Sequence, residues 1–529
     1  MKRLLLFAVL CSFFALHAPV FSQEVLGLAG AWELSVGDSL HYGDDYVMLP
    51  GPKPAAAQKG ELWYRRGVYV PGSWTDKRIS LFLERPQTET TVIVNGVKVL
   101  HQPSAFTPHE CDITRYVRLG ERNQITVRTS GGIAGRMELR TQPKRLYIEK
   151  VRLQPNPFQG VVQVYVELSD NTSYFDYNTM EVYIQQADKD SANLYVANYD
   201  VTSTHMLVSV PIGHVVALWD EFHPHLYRIG IDLGDDYYET TFGMREIGVK
   251  EHQVHLNRSP LLLRGIEEAP LPATGLPPAE EATWLRIFRQ AKERGLNHMR
   301  FSSYCPPEAA FSAADKLGFY LNVDVGASEE QLQRMADVYG AHPSFLMLPD
   351  SLCQMVAIPD CQSLGLDGGQ ALDYYKKQVE ASHAASVGIG FLLPAAVTTA
   401  VGQARDWQAF CSPIVALAHF PKTDYSSRDT LSVPVEVYNA MYGELSNVRV
   451  NYYLYGDSGQ VYTGGQLYVG NIPVSRHVPV GTISFPLDAV KHREKLTLMV
   501  TVGSRRYTNY WHFQVSPEYA SDPNEKERQ

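Results

Sequence analysis

The chain has 529 residues, of which 45% are hydrophobic and 20% charged, and a formal net charge of −10. At roughly 100–200 residues per domain, that length predicts several folded domains. The acidic balance, with no basic block, argues against nucleic acid and anionic membrane as main partners.

In chain order, the first stretch, MKRLLLFAVLCSFFALHAPVFSQE, reads as a signal peptide over residues 1–22. Lys2 and Arg3 form the charged start, the run from Leu4 to Leu16 is apolar, and small residues precede a cleavage site near Ser22. The run is shorter than the ~20 residues needed to span a bilayer, and no later segment reaches that length. The expectation is an exported chain, periplasmic or secreted, without a membrane span.

Residues 23–145 alternate apolar and polar positions in ELWYRRGVYVPGSW, RISLFLERPQTETTVIVNGVKVL and NQITVRTS. Short strands between turn signals predict a jelly-roll β-sandwich. Asn95-Gly96 is a hairpin signal suited to positive φ. Trp63 and Trp74 could stack on sugars, but a core place is expected for at least one of them. Residues 146–250 hold VVQVYVEL, MEVYIQQ and HLYRIGIDL, enough for one immunoglobulin-like sandwich.

The texture changes near 255. PAEEATWLRIFRQAKERGL predicts an amphipathic helix with Trp284, Leu285, Phe288, Ala291 and Lys292 near one face. Strands NHMRFSSY, FYLNVDVG and SFLML then alternate with helices PEAAFSAADKLG and EEQLQRMADVYG, the pattern of parallel βα units. Helix ALDYYKKQVEASHAASVG and strand IGFLLPAAV follow. From 411 to 517 the two-residue period returns in DTLSVPVEVYNA, VRVNYYLYG, KLTLMVTVG and YWHFQVSP, predicting a C-terminal immunoglobulin-like sandwich. Residues 518–529 read as a disordered polar tail.

Five cysteines lie beyond the leader: Cys111, Cys305, Cys353, Cys361 and Cys411. Their spacing matches no metal motif, so neither metal nor cofactor is expected, and an odd number cannot all pair. Cys353 and Cys361 are near enough in sequence to form a small disulfide loop.

This order of elements resembles glycoside hydrolase family 2, the β-galactosidase, β-glucuronidase and β-mannosidase relatives. WYRRGVYVPGSW, VIVNGVKV and FTPHECDITRYVRLGERNQITV look like that family's sugar-binding domain. LWDEFHPHLYRI and TFGMREIGV look like its immunoglobulin-like domain, and LNRSPLLLRGIEEA like its barrel entry. GLNHMRFSSYCPPEAAFSAADKLGFYL resembles the signature Gly-x-Asn-x-x-Arg-x-Ser-His-Tyr-Pro followed by Cys-Asp-x-x-Gly. The resemblance implies a (β/α) barrel over residues 251–410 and a carbohydrate partner.

Departures from the family pattern cluster where its chemistry belongs. Asn297, Arg300, Ser302, Tyr304, Asp315 and Gly318 match the signature, but Ser303 replaces its His. The barrel-entry Asn-x-His becomes Glu267-Glu268-Ala269, and Asp324 stands at the acidic end of the third strand. HPSFLMLPDSLCQ begins like the fourth barrel strand, yet Cys353 occupies the catalytic acid position. Between Cys353 and Trp407 the only glutamate is Glu380, within a helix beside Lys376 and Lys377, where a solvated face is expected. Retaining glycosidases need two carboxyls ~5–5.5 Å apart, and a thiol is a weak hydrogen-bond donor. About 150 positions are also few for a barrel that takes at least ~200.

No residue is assigned a catalytic role with conviction; Asp350, Asp324 and Glu267 are the carboxylates that could be displaced into one. Asn297, Arg300, Ser303 and Tyr304 are the substrate-binding candidates, Asn297 and Arg300 serving equally well as structural ties. The sequence therefore points to a secreted family 2 homologue without its catalytic glutamates, binding carbohydrate or acting as a scaffold. The alternatives are an active glycosidase with displaced carboxylates and an interaction protein with no sugar ligand. Oligomeric state is open.

Overall fold

The protein is described from a computed structural model. It describes residues 23–517 except 38–44, 55–59, 104–105, 170–177, 188–193, 214, 269–274, 349–354, 386–389, 395–400 and 504–506. The expected signal peptide and polar tail lie outside the described residues.

Alternation along the strands builds three sandwich units, each enclosing its own apolar core, antiparallel throughout except where strand 424–426 pairs parallel with 508–516 in the third. In the first, a six-stranded sheet (46–49, 30–36, 62–70, 121–129, 90–94, 97–102) faces a four-stranded one (25–27, 133–143, 77–86, 109–112). Between them lie Trp32, Tyr64, Trp74, Leu81, Val92, Ile125 and Met137. Of Trp63 and Trp74, Trp74 is the one in the core, its indole N–H donating to Glu24 at 2.8 Å. Trp63 is half-covered by the guanidinium of Arg128, 5.4 Å from its ring. Asn95 and Gly96 turn the 90–94/97–102 hairpin with φ of 49° and 86°, the positive pair that a two-residue turn of matching twist demands.

In the second unit a three-stranded sheet (148–156, 161–168, 205–211) packs on a four-stranded one (195–200, 179–186, 227–232, 237–242). Strand 161–168 buries every second residue, so Val162, Val164, Val166 and Leu168 enter the core. In the third, strands 414–418, 430–439 and 476–486 face strands 424–426, 508–516, 494–502, 445–455 and 461–472. Leu431, Val433, Val450, Leu498 and Val515 lie between those sheets.

Between the second and third units lies a parallel sheet. Its strands, in chain order, are β1 (Arg264–Glu267), β2 (His298–Phe301), β3 (Tyr320–Val323), β4 (Phe345–Leu346), β5 (Val356–Ala357) and β6 (Phe391–Leu393). They lie side by side as β4-β3-β2-β1-β6-β5, every pair parallel. The accompanying helices are α1 (Glu281–Glu293), α2 (Glu308–Leu317), α3 (Glu329–Tyr339), α4 (Gly368–Ala385) and α5 (Ala404–Cys411). A complete barrel closes eight strands. Among the described residues this sheet has six and no pairing joins β4 to β5, so the barrel is partial.

The two faces of the sheet differ. Ile266, Met299, Phe301, Leu321, Val323, Phe391 and Leu393 share one core with Trp284 and Phe288 of α1, Phe311 of α2, Met335 of α3 and Tyr375 of α4. The alternate positions carry Gly265, Glu267, His298, Arg300, Tyr320, Asn322 and Leu392, a mixed polar set on the inner face. Trp284, Phe288 and Ala291 of α1 are buried, the face read from the sequence.

Glu380 departs from expectation. Rather than facing solvent, it pairs with Lys376 and accepts from Asn509 at 2.8 Å and from the Trp511 indole at 3.2 Å. The i,i+4 spacing within α4 was visible, but the docking of the third unit over that turn was not.

Candidate functional site

Parallel strands end together, so the residues closing β1, β2 and β3 meet at one edge of the sheet, where βα folds build their sites. The register sets Glu267 directly beside Arg300, and Arg300 beside Asn322. One step beyond β3, Asp324 accepts from Arg300 at 2.9 Å, both side chains being mostly buried. Arg300 thus stands between a carboxylate on each side. Asn322 points its amide at the backbone of Leu348, donating to its carbonyl at 3.0 Å and accepting its N–H at 2.9 Å, which ties β3 to the chain leaving β4.

Above this row the chain after β2 returns to β1. The Ser303 hydroxyl donates to the Glu268 carboxylate at 2.6 and 2.8 Å, and the Ser303 N–H approaches it at 3.3 Å. The residue standing in for the signature histidine therefore binds the glutamate that departs from the barrel-entry motif. Tyr304 packs edge-on against Phe301 with ring centroids 5.3 Å apart. Its hydroxyl is buried without a partner among the described residues. Burial, then the Glu268 carboxylate and Cys305, push its pKa up.

The structure separates Asn297 from these groups. It precedes β2, at the opposite end of the strand from Arg300, and is 1% exposed. Its amide donates to Glu221 and to the Leu262 carbonyl at 3.1 Å, and its oxygen accepts the Arg264 N–H at 2.7 Å. Glu221 also holds the Arg264 guanidinium at 2.5 Å, with both side chains buried. Of its two readings, ligand and structural tie, the geometry gives Asn297 the second. Asp350 and Cys353 lie outside the described residues. Cys361 is a free, buried thiol among the described residues, and its expected partner is Cys353.

His298 was not singled out from the sequence. It lies on the inner face one turn of the pleat below Arg300, fully buried, with neither ring nitrogen partnered among the described residues. Burial and the neighbouring Arg300 charge lower its pKa to about 3, so the ring is neutral at ordinary pH. Gly265 makes room for it: a Cβ there would overlap the imidazole Nδ1 and come within 3.1 Å of Leu392. The signal was present in NHMRF, where a polar residue alternates with Arg300 on a strand expected to be buried.

Chemically, the edge offers Glu267, Glu268 and Asp324 with Arg300 and Ser303. Glycoside hydrolysis needs one carboxyl to protonate the leaving oxygen and another to attack or to activate water. Asp324 gives an oxygen to a guanidinium and Glu268 gives both of its oxygens to a serine. Among the described residues, Glu267 is the carboxylate of the three with no hydrogen bond or ion pair. No cluster of histidine, cysteine and carboxylate suited to a metal ion occurs among the described residues.

β-sandwiches flanking a partial parallel barrel, with polar residues on its C-terminal edge, define a multidomain protein of mixed β and α/β architecture. A family model described as "Glycosyl hydrolases family 2, sugar binding domain" matches residues 24–144, and one described as "Domain of unknown function (DUF8488)" matches residues 429–517. The chain is 22% identical over 364 residues to a β-glucuronidase of Paenibacillus borealis, covering 58% of this chain and 59% of that protein. It is 25% identical over 259 residues to a β-galactosidase of Leuconostoc mesenteroides, covering 43% and 25%. Among solved structures, a Ruminococcus gnavus β-glucuronidase superposes with a TM-score of 0.52 at 17% identity, over 68% of this chain and 71% of that one. A Faecalibacterium prausnitzii β-glucuronidase gives 0.51 at 20% identity, over 70% and 73%. The chain spans about three-fifths of the length of the first of these curated relatives. The matched domain model and these relatives make the chain similar to glycoside hydrolase family 2, with the family's sugar-binding domain over residues 24–144.

Proposed function

We propose that this protein is an exported family 2 homologue that binds carbohydrate without hydrolysing it by the family mechanism. The observation that carries this reading is the state of the carboxylates at the sheet edge. Asp324 is ion-paired to Arg300 and Glu268 is held by Ser303, so no opposed, unencumbered pair is present among the described residues. The sequence adds Cys353 at the family acid position and the placement of Glu380 in α4, docked on the third unit. An edge that keeps hydroxyl-binding groups but lacks the acid and its partner suits recognition better than turnover.

The second reading, a glycosidase with displaced carboxylates, draws on one fact: Glu267, Arg300 and Asp324 converge at the ends of adjacent strands. The two readings separate in one experiment. The mature chain is assayed on aryl β-glucuronides, β-galactosides and β-mannosides and, in parallel, on a glycan array. Saturable glycan binding without aryl release is expected. Turnover abolished by Asp324→Asn or Glu267→Gln would establish the second reading instead, and neither binding nor turnover would leave an interaction protein.

A further inference from the structure

Away from the barrel edge, a cleft runs between the first unit, the second unit and α3. Its main cavity holds about 980 Å³ and continues into a second of about 520 Å³, the two sharing Glu110, Glu149 and Tyr238. Such volumes are those of small-molecule and oligosaccharide pockets. The walls are built and braced. Lys150 and Arg152 of the second unit both pair with Asp337 of α3, the latter at 3.3 Å. The Arg140 guanidinium lies 3.4 Å over the Phe82 ring while pairing with Glu138 at 2.9 Å.

The chemistry of the lining is selective. Lys150 and Arg152 share Asp337, Arg140 has Glu138, and Arg78, at the far end, has Asp112 at 3.2 Å. Glu110 and Glu149, at the junction of the two cavities, form no ion pair among the described residues. Each accepts from a neutral hydroxyl only: Glu110 from Ser80 at 2.6 Å, and Glu149 from Tyr147 at 3.2 Å. Around them stand Tyr165 on one wall, its partly exposed ring flanked by the Arg152 guanidinium 5.8 Å from its centre, and exposed Val338 on the opposite one. Unneutralised carboxylates accept hydroxyl protons and repel anions, and an aromatic face offers an apolar plane beside them.

We infer that this cleft is a binding site for a neutral hexose oligosaccharide, with Tyr165 as the stacking face and Glu110 and Glu149 as the hydroxyl acceptors. The inference rests on the carbohydrate-binding reading above and locates that binding outside the barrel. It also disfavours uronic-acid chains, whose carboxylates would meet Glu110 and Glu149 at the junction of the two cavities.

The test titrates the full mature chain with cellohexaose, laminarihexaose and mannohexaose, and with a hyaluronan hexasaccharide as the anionic probe, by calorimetry. Variants Tyr165→Ala, Glu110→Gln and Glu149→Gln are first checked for wild-type circular dichroism and melting. Saturable binding of at least one neutral hexasaccharide is expected, roughly tenfold weaker in Tyr165→Ala and in the Glu110→Gln/Glu149→Gln pair. Hyaluronan is expected not to bind. Binding kept by all cleft variants but lost in Arg300→Ala would place the ligand at the barrel edge and overturn the cleft while leaving the carbohydrate reading intact. Binding of hyaluronan lost in the cleft variants would overturn the neutral class, and no binding of any probe would overturn the cleft; an accompanying blank glycan array would overturn the wider reading too.

Discussion

Removing the Glu221 carboxylate should loosen the base of the parallel sheet more than any exposed substitution. Glu221 belongs to the second unit, yet its oxygens hold the Arg264 guanidinium at 2.5 Å and the Asn297 amide, so one residue secures β1 and the start of β2. The side chains are 6% and 2% exposed for Glu221 and Arg264, so Glu221→Ala leaves a guanidinium out of water with the Gly295 carbonyl at 2.8 Å as its principal remaining partner. Breaking such a buried pair costs about 3–5 kcal/mol. Glu221→Gln keeps a neutral acceptor, and the loss should fall to about 1–3 kcal/mol, the range for a buried polar partner poorly met. Because a multidomain chain does not unfold in one step, hydrogen exchange followed by mass spectrometry is the suitable assay. Peptides covering 262–268 and 295–301 should exchange roughly 150- to 5000-fold faster in Glu221→Ala. The double variant Glu221→Leu/Arg264→Met should recover most of that protection, since an apolar pair avoids desolvating two charges. If Glu221→Ala exchanged like wild type, the pair would contribute nothing beyond its desolvation cost and the argument would fail.

Gly265→Ala should destabilise the sheet by about 1–3 kcal/mol by overpacking against His298. Adding His298→Ala should relieve much of that cost, and additive melting shifts in the double variant would contradict the contact. Burial disfavours the His342 imidazolium, but the Asp315 and Glu308 carboxylates at 2.6 and 2.9 Å outweigh it and raise its pKa to about 10. The stabilisation is therefore complete below the unfolded value near 6.5 and lost as pH rises through about 10. Thermal melts should fall between pH 7 and 10 in wild type, and the slope should flatten in His342→Gln; an equal slope in both would reject the assignment. In alkylation of the native chain without reductant, Cys305, Cys361 and Cys411, all buried, should label only after unfolding. Failure of Cys361 to label even then would mean that it is bridged.

Much of the fold could be read from local pattern because the pattern is physical. Strand 161–168 alternates in sequence and in burial alike, and α1 shows its Trp284, Phe288 and Ala291 stripe in both. The Asn95-Gly96 turn needed only the preference of those residues for positive φ. The barrel edge was legible in part: Arg300, Ser303, Tyr304, Glu267 and Asp324 do gather at the ends of β1 to β3. What the sequence could not show is which carboxylate each polar group would choose. Arg300 takes Asp324, 24 positions away, and Ser303 takes Glu268, 35 away. Asn297, three residues from Arg300, points to the other end of the strand because that end is where Glu221 of the preceding unit arrives. Partners at such separations follow from how units dock, which no local period encodes.

The same reasoning bears on how a partial barrel stays folded. A sheet that does not close leaves two edges with unpaired backbone groups, and proteins limit such edges by making them short or by covering them. Both measures are visible. Strands β4 and β5 are two residues each. The Asn322 side chain takes over hydrogen bonds beyond β4, binding both backbone groups of Leu348. On the other flank α4 carries the third unit against the sheet. Lys376 lies 4.5 Å over the Trp511 ring, Glu380 collects Asn509 and Trp511, and His383 packs 5.2 Å from Tyr438. Glu380, which in sequence looked like a surface residue on a solvated helix, is thus part of the contact between the third unit and the open barrel. Its burial follows from the docking: the third unit lies against the face of α4 that carries Glu380, and the polar residues on that face find their partners there.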